Sequence, residues 1–64
     1  MYKIKVKKTG IGWRVTLYKK CWFWWDTDTV CEIVQGKEYL VDKQINQWIE
    51  HFNIPHYLVF IPDY

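Results

Sequence analysis

The chain is 64 residues long, half of them apolar and 20% aromatic, with a formal net charge of +2. A chain this short buries only about 60% of its unfolded surface, so it is read as one domain over 1–64, and its apolar content excludes a disordered polyelectrolyte. Met1 is followed by Lys alternating with apolar residues rather than by an apolar stretch. The expectation is a chain with neither secretory signal nor membrane span, working in the cytoplasm.

Alanine and serine are absent, whereas Val, Ile, Thr, five Trp, five Tyr and three Phe are present. That bias suits pleated, half-buried strands better than a helical bundle. Charge is distributed unevenly. Residues 1–20 hold Lys3, Lys5, Lys7, Lys8, Arg14, Lys19 and Lys20 with no acid, while residues 21–64 hold Lys37 and Lys43 against seven acids.

In chain order, Tyr2 to Lys8 alternates strictly, with Tyr2, Ile4 and Val6 on one side and Lys3, Lys5 and Lys7 on the other, the period of a strand with one wet face. Thr9-Gly10-Ile11-Gly12 reads as a hairpin connection, its glycines supplying positive φ. A second strand opens at Trp13, with Trp13, Val15 and Leu17 opposed to Arg14, Thr16 and Tyr18. Parity blurs after Tyr18, and a strand reaching Trp25 would be about twice the usual length, which predicts a bulge or bend near Lys19-Lys20-Cys21. Asp26-Thr27-Asp28-Thr29 has turn chemistry, and Val30 to Gln35 reads as the third strand.

Gly36-Lys37 interrupts that strand, and Tyr39-Leu40-Val41 reads as a short extended stretch leading to Asp42 as N-cap. Ile45, Trp48, Ile49 and Phe52 then fall at i, i+3, i+4 and i+7, giving an apolar stripe on a helix whose other residues are polar. Asn53 suits a left-handed C-terminal position, and Pro55 stops the helix. His56 to Ile61 is apolar at nearly every position and reads as a strand covered on both faces, ended by Pro62. The fold class is α+β, order β-β-β-α-β, with sheet order 3-2-1-4, the last strand parallel to the first, and one helix on one face. A doubly covered strand at a sheet edge is a conflict, which self-association through that edge or a tail packed over it would resolve.

Catalytic and metal chemistry find little support. With no serine, a nucleophile would have to be Cys21 or Cys31 assisted by His51 or His56, and both cysteines sit in apolar, strand-like runs that suit buried, reduced thiols. The pattern C-x9-C-x19-H-x4-H lacks the tight cysteine knuckle of a structural zinc site. Asp26-x-Asp28 lacks the later glycine and glutamate of a calcium loop. Gly10-x-Gly12 joins two strands and is no phosphate cradle. No enzyme, cofactor or metal is expected.

The sheet face opposite the helix is the candidate site. Continued parity places Lys3, Lys5, Lys7, Arg14, Thr16, Tyr18, Lys20, Trp22 and Trp24 on it, a basic field merging into aromatics. Lysines on a strand's outer face serve solubility, but exposed tryptophans mark a contact surface. The first expectation is a protein partner bound through Lys3, Lys5, Lys7, Arg14, Tyr18, Lys20, Trp22 and Trp24, since Trp, Tyr and Arg are common hot spots and a two-signed chain suits one docking pose. By class, such a product fits a phage or mobile-element inhibitor of a host enzyme or defence complex. The alternative is single-stranded nucleic acid, with bases stacked on the rings and phosphates held by Lys and Arg.

Overall fold

A computed structural model describes residues 1–61 of the chain. The alternation at the start forms β1 (Tyr2–Lys8), followed by β2 (Gly12–Cys21), β3 (Trp24–Val34), the helix α1 (Tyr39–Phe52), a 3-10 turn at His56–Leu58 and β4 (Val59–Phe60). The sheet order is β3-β2-β1-β4. β1 and β3 run antiparallel to β2, and β4 runs parallel to β1. This is the expected α+β architecture. Among the described residues no helix is long and apolar enough to cross a membrane.

One apolar layer joins the helix to the sheet. Ile4 and Val6 of β1, Trp13, Val15 and Leu17 of β2 and Ile33 of β3 meet Val41, Ile45 and Trp48 of α1, and Ile54 closes one end. Tyr2 extends the layer by packing on Phe52, ring centroids 4.4 Å apart. Gly12 is required by close approach: a Cβ there would lie 2.0 Å from the Ile33 carbonyl oxygen, at a φ of 154°. Asn53 takes the left-handed C-cap at φ 53° and donates its backbone N–H to the Ile49 carbonyl, as its chemistry suggested.

Five local expectations are corrected. The turn falls at Trp22-Phe23 rather than at 26–29, and β3 runs through Asp26-Thr27-Asp28-Thr29. Thr27, Thr29 and Val30 are β-branched, and that strand preference outweighs the turn chemistry of the aspartates. The bulge lies across from Leu17 and Tyr18 rather than at 19–21: Leu17 pairs with Thr29 and Tyr18 with Thr27, so Asp28 is the extra residue, on β3. Tyr39-Leu40-Val41 is helical, not extended, because Val41 adds one more turn to the stripe and is 2% exposed. Asp42 consequently lies in the first helical turn, where its charge favours the dipole, and is not the cap. Finally, His56 to Ile61 is not a doubly covered strand. It makes a 3-10 turn and a two-residue strand, with Tyr57, Phe60 and Ile61 exposed, so the edge conflict disappears. The expected stop at Pro62 lies outside the described residues.

Glu38 organises the helix start. Its side chain accepts the Gly36 backbone N–H at 3.2 Å. Its carboxyl is held below the ordinary value of 4.5, first by its own backbone amide, next by that of Gly36, and further by Lys8 and Trp13.

Two outcomes follow. Trp48→Ala removes from the layer an aromatic that is 8% exposed and should cost about 3–5 kcal/mol, read in a urea titration as loss of the cooperative transition. For Glu38 the folded pKa is depressed, so its stabilisation is present above the unfolded value and is lost as pH falls through the folded one. Glu38→Gln should therefore melt below the parent at neutral pH, and the gap should close as the pH falls through the folded value of Glu38, which lies below 4.5. A gap that persisted in acid would show that the charge is not the cause.

Candidate docking surface

β1 and β2 alternate strictly, so every residue buried under the helix places its neighbour on the open face. Lys3 pairs with Tyr18, Lys5 with Thr16 and Lys7 with Arg14. Arg14 in turn sits opposite Glu32 of β3. Its Nε and Nη2 donate to Glu32 Oε1 at 3.0 and 2.8 Å, a pair nearly half exposed on both sides and of small energetic worth. Thr16 lies at the base, 7% exposed. Lys5, Lys7, Arg14, Thr16 and Tyr18 line a depression of about 210 Å³.

Beyond Tyr18 the turn and the bulge decide which aromatic joins this face. Lys20 pairs with Trp25 and Cys21 with Trp24, so Trp25 points to the open side. Lys3 Nζ lies 4.5 Å from the Trp25 ring centroid, 5.3 Å from Tyr18 and 6.0 Å from Phe60, and Lys20 Nζ lies 5.1 Å from Trp25. These are cation–π distances, worth about 0.5–1 kcal/mol each at exposed sites.

The expected set therefore divides. Lys3, Lys5, Lys7, Arg14, Tyr18 and Lys20 share the open face. Trp24 does not: it is on the helix side of the hairpin, where its indole N–H donates to Asp26 Oδ1 at 2.9 Å. Trp22 belongs to neither face but to the turn. Trp25, Phe60 and Phe23 are the additions that strand parity did not reach. The unbroken apolar run 21–25 hides parity, while the β-branched residues at 27, 29 and 30 were the available signal that the strand began earlier.

The end of the β2–β3 hairpin is an arm without a core. Residues 18–30 include no buried residue, yet they carry Tyr18, Trp22, Phe23, Trp24 and Trp25. Trp22, Phe23 and Trp24 are 81%, 90% and 52% exposed. Trp22 also has φ 51°, while Phe23 keeps a negative φ. Positive φ at the first turn position alone belongs to a type II′ connection, where glycine is the usual occupant. A bulky residue there is a genuine outlier and costs about 1–2 kcal/mol.

The thiols are remote from one another. Cys21 is opposite Trp24 and Cys31 opposite Val15, and both are free. Six positions of β2 separate those rungs, roughly 20 Å at about 3.3 Å per residue, far beyond the approximately 7 Å limit for a disulfide. They cannot share one ion either.

The conformation of Trp22 gives a stability prediction. Trp22→Gly relieves the strain and loses no core contact, so its thermal midpoint should equal or exceed the parent's, a gain of about 0–1 kcal/mol after the backbone entropy of glycine is counted. A loss greater than about 1 kcal/mol would mean that Trp22 packs on the fold.

Comparison of the chain with protein-family models, with curated proteins and with solved structures finds no match.

Proposed function

We propose that the protein is a non-enzymatic module that binds another protein through the tip of the β2–β3 hairpin, with Trp22 and Phe23 as anchors. The observation that carries this reading is Trp22: an 81% exposed indole held at φ 51°, in a position that glycine would fill without strain. Fold stability gains nothing from a Trp there and solubility is harmed by it, so its use lies in an outside contact. Exposed Trp and Phe inserting into a partner's cleft are typical hot spots.

The partner's chemistry follows from the flanks. Lys19 and Lys20 are exposed beside the tip, and Lys3 stands with Lys20 against Trp25. An apolar cleft rimmed by carboxylates is complementary, the rings supplying affinity and the lysines steering approach. A host enzyme or defence complex targeted by a phage or mobile-element product is the finer form of this reading, supported by the exposed aromatics alone.

A pull-down from bacterial lysate tests it, using the full chain, nuclease treatment and moderate salt. One or a few proteins should be retained by the parent and lost with Trp22→Gly and with Phe23→Ala, each substitution costing about 2 kcal/mol or more of affinity. Lys20→Glu should chiefly slow association, as rim charges do. Retention that disappears with nuclease, or that both tip variants keep, would overturn the proposal.

A further inference from the structure

The open sheet face is a second surface, which meets the flank of the tip at Lys3, Lys20 and Trp25 and extends beyond it. It combines two features that folding does not explain. One is the depression of about 210 Å³ lined by Lys5, Lys7, Arg14, Thr16 and Tyr18. The other is the adjoining group of Tyr18, Trp25 and Phe60 around Lys3. Tyr18 belongs to both, so a cationic hollow runs directly into an aromatic platform.

Charge is segregated in space as well as along the chain. Lys3, Lys5, Lys7, Arg14 and Lys20 all project from this face, and the acid paired onto it, Glu32, is bonded to Arg14. Asp26 is bonded to Trp24 on the helix side of the hairpin, and Asp42 and Glu50 are on α1. Asp26, Asp42 and Glu50, three of the acids that would repel a polyanion, therefore stand away from it.

From this arrangement we infer that the open face binds single-stranded nucleic acid, with phosphates over Lys5, Lys7 and Arg14 and bases stacked on Tyr18, Trp25 and Phe60. Alternating phosphate and base contacts at neighbouring positions match a hollow of cations beside a row of rings. A duplex keeps its bases stacked inside and cannot use the rings. In the free protein Lys3 and Lys20 cover the ring of Trp25. An entering base displaces an ammonium from an exposed cation–π contact of modest strength, and the freed ammonium moves to the adjacent phosphate.

The test is a titration of the full chain with a labelled single-stranded oligonucleotide of about 12 nucleotides, followed by anisotropy and by quenching of tryptophan fluorescence. Three or four phosphate contacts predict a log–log salt slope of about −2 to −3, equal to roughly 20- to 50-fold weaker binding between 50 and 200 mM salt. Lys5→Gln with Lys7→Gln should weaken binding at least tenfold at low salt and flatten the slope by about 1.4. Phe60→Ala, at a residue 47% exposed, and Trp25→Ala should each weaken it about fivefold or more. Phe60 serves as the stacking probe if the Trp25 variant fails to fold. Trp22→Gly should bind the oligonucleotide as the parent does, so the fate of this inference is separate from that of the hairpin tip. Equal affinity for a duplex of the same sequence would overturn it. So would unchanged binding by Phe60→Ala together with the Trp25 variant, or absence of oligonucleotide binding by the parent at about 50 mM salt, the ionic strength where phosphate contacts are strongest in this titration.

Discussion

A chain with one helix can cover one face of its sheet, and the rest of this molecule follows from that limit. The stripe Val41, Ile45 and Trp48 takes up Ile4, Val6, Val15 and Leu17. Each such aliphatic side chain contributes about 1.5–3 kcal/mol on burial, so the layer outweighs any local preference of the strands. Because strand side chains alternate, burying Ile4 and Val6 obliges Lys3, Lys5 and Lys7 to the opposite side. A slip of one residue would drive those lysines under the helix at a cost of several kcal/mol per charge, which fixes the register firmly. The basic face is thus the other side of the core.

This dependence explains which parts are legible from the residues. Where alternation or helical spacing is strict, as in 2–8, 13–18 and 45–52, elements, faces and topology can be read directly, down to Asn53 as C-cap. Legibility fails where both signals stop. Cys21-Trp22-Phe23-Trp24-Trp25 is apolar at every position and holds no parity, so turn chemistry at Asp26-Thr27-Asp28-Thr29 attracts the turn in its place. The β-hairpin instead turns where two arms of matched register meet, and a bulge at Asp28 restores the pairing. Moving the turn exchanges the roles of Trp24 and Trp25. The basic half of the site is therefore readable and the aromatic half is displaced by one residue. At the other end, apolar content alone marks His56 to Ile61 as covered, although hydrophobic residues at the surface are common and composition does not report burial.

The outer edge of β3 and the tip of the same hairpin are treated in opposite ways, and the contrast is informative. An edge of 11 residues would be a ready template for pairing with another chain. Here it is interrupted by the bulge at Asp28 and carries Asp26, Asp28 and Glu32, features that discourage strand addition. Pressure against indiscriminate association is thus visible within a few residues of Trp22 and Phe23. That pressure would act on the tip as well, where glycine or asparagine would satisfy the turn, lower the strain and remove apolar surface. The tip nevertheless keeps two of the most exposed aromatics among the described residues, one of them in a backbone conformation that disfavours it. Neglect of solubility cannot explain both treatments at once. The binding role proposed for the tip accounts for both together: under that proposal the edge is closed to unspecific pairing, and the tip is left open for one partner.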